Sequence, residues 1–223
     1  MATKALLTEL TQLYQALTGV EVQIESVGGV DAAKRVQAGE AFDMVLLASD
    51  AIDRLMASGH AVANSRSDWV RSPVAVAVKA GAVHPDIGSE AALKAAVLAS
   101  STLSYSTGPS GVYLEKLFER WGIAEQLKPS IVVPPPGTPV GALVAKGEVA
   151  LGFQQLSELM ALPGIEVLGH LPPEVAYITT FSSAVSTAIA HDAERVNAVQ
   201  AFLTFLTSTE VRDIKRRQGT DWN

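Results

Sequence analysis

The 223-residue chain contains no cysteine. That excludes disulfides, thiolate nucleophiles and cysteine-based metal sites together, and leaves the redox compartment open. Basic residues are in the minority. Seventeen Lys and Arg stand against 23 Asp and Glu, for a formal charge of −6. Broad binding to nucleic acid or to an anionic membrane needs a basic face, so neither partner is expected. A small anion is not excluded, because helix N-termini and a single Arg can hold one on an acidic protein. No apolar run approaches the ~20 residues that span a bilayer, so no membrane insertion is expected.

Enzyme signatures are equally sparse. There is no Walker loop, no G-x-S-x-G elbow and no G-x-G-x-x-G. His60, His84, His170 and His191 fall in predicted turns and form no i, i+4 pair, so neither a metal nor another cofactor is expected. No repeat or low-complexity tract is present, and Pro134-Pro135-Pro136 reads as a rigid loop. The start, Met1-Ala2-Thr3-Lys4, opens on an amphipathic pattern without a secretory leader. A cytoplasmic location is the expectation if the chain is whole.

What is present is alternation. Leu6, Leu7, Leu10, Leu13, Tyr14 and Leu17 recur at helical spacing and stop at Gly19. Val20 to Ile24 alternates like a strand, Gly28-Gly29 makes a turn, and Asp31 to Ala38 reads as a helix. Phe42 to Leu47 is a short apolar run suited to a strand covered on both faces. Ser49-Asp50 is placed to cap a helix from Ala51 to Ala57. Strands are expected over 70–80, 102–106, 130–133, 149–153, 165–168 and 177–189, with helices over 89–98, 110–121, 140–145 and 156–160. A helix capped by Asp192 runs through Phe205, and another starts near Ser208. Such alternation implies an α/β fold built from parallel-rich sheets.

In open parallel sheets, ligands sit beyond the carboxyl ends of strands, where helices begin. Four junctions qualify. The richest is Tyr105-Ser106-Thr107-Gly108-Pro109-Ser110-Gly111-Val112-Tyr113, in which Thr107 and Ser110 offer hydroxyls and Gly108 and Gly111 let backbone approach a ligand. An ordinary strand–helix loop with a Ser cap reads the same way. The others are Ser26-Val27-Gly28-Gly29, Ala48-Ser49-Asp50 and Pro136-Gly137-Thr138-Pro139; singly each is a turn, and their recurrence is the signal. Arg71, beside Ser72, has a guanidinium able to clamp a carboxylate with two parallel hydrogen bonds. Gln154-Gln155 follow a predicted strand and offer two amides to a polar ligand. Glu115 and Glu119, near Lys116 and Arg120, read as a solvated helix face.

Three segments carry a resemblance. They are GGVDAAKRVQAGEAFDMVLLASDAIDRLMASG (28–59), YSTGPSGVYLEKLFERWGI (105–123) and VAKGEVALGFQQLSEL (144–159). Together with the order of elements, they resemble the molybdate-binding-like, type II branch of bacterial periplasmic solute-binding proteins. The resemblance implies two α/β lobes joined by two crossing strands with a ligand cleft between them. Lobe 1 would be residues 1–75 plus 184–223, and lobe 2 residues 76–183. It also implies a monomer, a periplasmic location, an ABC-transporter membrane component as partner, and Thr3 at the end of the family's first Ser/Thr turn.

Family members begin one strand earlier than this chain. They often carry a Ser where Gly29 stands and a Tyr where Gln155 stands. Those two differences favour an organic polycarboxylate over an inorganic oxyanion. The same branch includes aconitate isomerase, so an enzyme that moves a proton on a tricarboxylate is the alternative. Tyr113 and Asp50 are its candidate bases on sequence.

Overall fold

A computed structural model describes residues 2–135 and 138–220. The chain divides into two compact units, one formed by residues 1–71 with 180–223 and the other by 72–179. The chain passes between them inside two strands, β2 (Ser67–Lys79) and β6 (Ile178–Val185). The sequence-based boundaries at 75/76 and 183/184 lie within the same two strands.

The first unit opens with α1 (Lys4–Thr18), which buries Leu6, Leu7, Leu10 and Tyr14. These residues recur every three or four positions and so share one face. The helix ends where Gly19 turns left-handed, at φ 75°, and returns its N–H to Gln15 O. α2 (Gly29–Gln37), β1 (Met44–Ala48) and α3 (Ser49–Ala57) follow. The C-terminal segment adds α9 (Ala193–Thr207) and α10 (Arg212–Arg217). Tyr14 sits 5.1 Å from the rings of both Phe202 and Phe205, tying α1 to α9. Burying each such side chain contributes about 1.5–3 kcal/mol.

β1 pairs antiparallel with β6, Met44 opposite Val185. Val20 to Ile24 forms no strand, contrary to expectation. Val22 and Ile24 pack against the core as alternation predicts, but the stretch finds no ladder partner, and without cross-strand hydrogen bonds alternation alone makes no strand.

The second unit contains α4 (Glu90–Ala99), β3 (Leu103–Tyr105), α5 (Pro109–Arg120), α6 (Ala124–Leu127), α7 (Val140–Lys146), β4 (Leu151–Gln155), α8 (Leu156–Leu159) and β5 (Ile165–His170). Its core runs from Val74, Val76 and Val78 of β2 through Leu93, Leu103, Leu114, Phe118 and Phe153. β3 and β4 pair in parallel, Tyr105 opposite Phe153. β2 pairs antiparallel with both β4 and β5. The sheets are therefore mixed rather than parallel-rich, because the direction of β2 and β6 is set by the passage of the chain between units and not by a crossover helix.

Three further expectations shift. Residues 130–133 contribute only a bridge between Ile131 and Leu103. His170 ends β5 instead of lying in a turn. Ser49 and Asp50 are the first residues of α3, whose N-cap is Ala48 without a side-chain bond, and Asp50 instead pairs with Arg54 at 2.8 Å.

Candidate functional site

The helix starts divide into two kinds. α4 and α9 are closed by their own side chains, Ser89 accepting from Ala92 N and Asp192 from Arg195 N. α1, α2, α3 and α5 have no side-chain cap. Their first N–H groups are left without that partner, at the positive end of the helix dipole.

In the first unit, Thr3 is the buried N-cap residue of α1, its carbonyl taken by Leu7 N. Gly28 is the N-cap of α2 and Gly29 its first residue, and both are exposed. A Cβ on Gly28 would meet the Asp31 carboxylate at 3.5 Å, so this start already has an acid folded over it. Ser26 is half-buried, as is Ser49. Arg71 has an exposed side chain, while its backbone N–H donates to Thr220 O at 3.1 Å.

In the second unit the candidates gather at the carboxyl ends of β3 and β4. Ser106 and Ser110 share a hydrogen bond at 2.8 Å, and Gly108 N donates to Ser106 Oγ at 3.4 Å. Thr107 is exposed, and Ser110 and Gly111 are buried. Gly111 has a different role from the one expected. A Cβ there would lie 1.6 Å from Ser106 O, so its missing side chain lets α5 fold back onto its own loop. Close backbone packing is by itself enough to require glycine there.

Gln154 and Gln155 lie inside β4 and are almost fully buried. Successive residues of a strand point to opposite faces, and the two amides have different partners. Gln154 Oε1 accepts from Gly141 N, in the first turn of α7, at 3.2 Å. Gln155 Nε2 donates to Thr179 Oγ1 at 2.6 Å, leaving Gln155 Oε1 buried without a partner. A buried orphan acceptor costs about 1–3 kcal/mol. The Thr179 hydroxyl can donate as well as accept. Ser72, fully buried in β2, lies 3.4 Å from Ser157 on α8.

Both bases suggested by sequence have partners in the fold. Asp50 is engaged by Arg54. Tyr113 stacks on Tyr177 at 4.4 Å and donates its hydroxyl to Val175 O, and burial raises its pKa. The group missed on sequence is Glu158, on α8. Burial pushes its carboxyl above the usual range. Pro136 and Gly137 of the fourth junction lie outside the described residues. A depression of about 410 Å³, lined by Val78, Val83, Val149 and Leu151, contains none of these candidates. Among the described residues, no group of three His, Asp or Glu is placed to hold a metal ion, and no helix is long and apolar enough to cross a membrane.

Comparison with known proteins gives this geometry a family. The chain is 38% identical over 210 residues to the aconitate isomerase of a Pseudomonas species, covering 91% of this chain and 78% of that protein. The periplasmic molybdate-binding protein of Azotobacter vinelandii superposes with a TM-score of 0.78 at 18% identity, over 100% of this chain and 96% of that one. The substrate-binding domain of a putative molybdenum ABC transporter from Clostridium difficile gives 0.75 at 16%, over 100% and 95%. At those identities the two structures establish a shared fold. The sequence profile of the bacterial extracellular solute-binding proteins matches residues 1–221, and the chain belongs to that family.

Proposed function

We propose that this protein captures a small organic polycarboxylate, with a tricarboxylate of the aconitate type as the first ligand to test. The observation that carries the reading is Gln155, a buried amide with one side unpaired at the carboxyl end of β4. By register it lies beside the uncapped start of α5, since β3 and β4 run parallel there. Ser106 and Ser110 supply hydroxyls at that start, and Ser72 of β2 meets Ser157 of α8 just beyond β4. Amide, hydroxyl and open N–H donors together suit carboxylate oxygens without requiring a metal. The exposed guanidinium of Arg71, next to Ser72 in sequence, is proposed as the clamp on a further carboxylate. The same reading puts the protein in the periplasm, handing its ligand to an ABC-transporter membrane component.

A thermal-shift screen tests it. A ligand that binds only the folded state raises apparent stability as its concentration passes Kd. Aconitate or citrate should raise the midpoint, and molybdate and sulfate should not. A shift confined to the inorganic anions overturns the reading.

The 38% identical aconitate isomerase supports a second reading, in which the bound tricarboxylate is also turned over. Incubation with cis- or trans-aconitate in heavy water, followed by NMR of the vinyl and methylene protons, separates the two. Binding without interconversion leaves a receptor, and interconversion above a protein-free control makes the chain an isomerase.

A further inference from the structure

We infer that the ligand of this site presents an alcohol hydroxyl beside its carboxylates, and that Gln155 Oε1 accepts a hydrogen bond from it. The inference rests on the polycarboxylate reading above and narrows it to hydroxy-polycarboxylates. Two groups at the site ask for opposite partners. The start of α5 offers a donor. Pro109 has no N–H and Gly111 N is taken by Gly108 O, which leaves Ser110 N open among the described residues. An open N–H at the positive end of a helix calls for a carboxylate. Gln155 offers an acceptor. Its Nε2 donates to Thr179, and its Oε1 is buried without a partner. An ionised carboxylate has no hydrogen to give that oxygen.

Both groups belong to one place within the second unit. Successive strand residues face opposite ways, so Gln155 shares a face of β4 with Phe153, and Gln154 shares the other with Gly152. α7 covers the Gly152 face, where a Cβ would meet the side chains of Val144 and Val140. α5 covers the Phe153 face, with the Phe118 ring 6.5 Å from Phe153 and 5.9 Å from Tyr105. β3 runs parallel to β4 and leads into α5, so the helix turns back from the carboxyl ends of the two strands. Its earlier turns therefore lie beyond Phe153 in the direction of Gln155. Tyr113, five residues ahead of Phe118, stacks on Tyr177 at 4.4 Å, and Tyr177 is two residues before the Thr179 that holds Gln155. The amide thus lies on the α5 side of the sheet, at the end where that helix begins.

The missing donor must keep its proton beside a positive helix end. A carboxyl group there is held in its ionised form, and an ammonium is repelled and brings three donors to one neutral oxygen. An alcohol is neutral and supplies a single O–H. Gln155 then selects by its own cost, because a ligand without the hydroxyl leaves the buried oxygen unpaired.

The test uses the whole chain and two probes, citrate and propane-1,2,3-tricarboxylate, which is the same skeleton without the hydroxyl. At about pH 8 both carry three ionised carboxylates, so charge does not separate them. Titration calorimetry in a buffer free of divalent cations should find citrate tighter by on the order of tenfold or more. In Gln155→Leu the two affinities should fall within threefold of each other. If that variant does not fold, Gln155→Leu with Thr179→Val takes its place, and the wild-type comparison stands in either case. A wild-type preference below threefold overturns the inference and leaves the polycarboxylate reading standing. A preference that survives the loss of Gln155 shows that another group meets the hydroxyl, and also overturns it. Binding of neither probe, nor of aconitate, overturns the polycarboxylate reading itself.

Discussion

Replacing Gln155 by leucine and Thr179 by valine together should separate folding from function. The double variant removes the 2.6 Å bond between the two side chains and, with it, the unpaired amide oxygen. Both residues are nearly fully buried, with 4% and 3% exposure, so water does not replace the lost partners. A net hydrogen bond contributes about 0.5–1.5 kcal/mol, and an unsatisfied buried acceptor costs about 1–3 kcal/mol. The double variant should therefore range from unchanged to about 2 kcal/mol more stable. Gln155→Leu alone exchanges one orphan for another, the Thr179 hydroxyl, and should lose about 1 kcal/mol. Affinity should move the other way. A hydrogen bond to a charged ligand contributes about 1.5–3 kcal/mol, so aconitate should bind on the order of ten- to a hundredfold more weakly. Urea unfolding and titration calorimetry read the two quantities separately. A double variant that loses more than about 2 kcal/mol of stability and keeps its affinity would refute the reasoning and make Gln155 a structural residue.

Gly111→Ala should destabilise the protein by about 1–3 kcal/mol or more in urea unfolding, because its Cβ would meet Ser106 O at 1.6 Å. Arg71→Ala should leave stability within about 0.5 kcal/mol, since only its backbone is bonded in the fold, yet weaken carboxylate binding by about 2–5 kcal/mol in calorimetry. Lys215→Ala should cost about 2–4 kcal/mol of unfolding free energy, because buried Lys215 Nζ donates to Trp69 O at 2.6 Å. Glu158 has a folded-state pKa raised above its unfolded value. Its contribution is thus fully present below the unfolded pKa and lost as pH rises through the folded one. Glu158→Gln should be more stable than wild type at pH 8 and should lose that advantage near pH 4, by urea midpoints.

The layered α/β architecture was legible because helical and strand periodicities alternate, and Gly19 and Asp192 marked a helix end and a helix start where the structure has them. Strand existence was less legible. Val22 and Ile24 point inward as their pattern says, but a strand is a pairing, and the partner is not written in the segment itself. The same gap set the expected end of that strand at Phe153, whereas Gln154 and Gln155 are its last two residues, because the antiparallel partner β2 extends the ladder. Within the candidate site, the small-residue turn at 106–111 was readable, but the purpose of Gly111 was not, because it depends on how closely α5 returns to Ser106. Glu158 escaped notice because a lone acid on a four-residue helix looks solvated until its neighbours close around it.

The division of the chain has a consequence for how the protein is made. The unit of residues 72–179 is a single uninterrupted stretch, whereas the other unit needs both chain ends. α10 follows everything else, and Thr220, with no exposed surface, gives its carbonyl to Arg71 N. During synthesis the inner stretch can therefore condense as soon as its last strand has emerged. α1, β1 and the Trp69 region must then wait for the final helices before their apolar faces are covered. Throughout that interval Leu6, Leu10 and Trp69 lack the partners that bury them in the finished fold, so this is the period in which the unfinished chain is most open to aggregation.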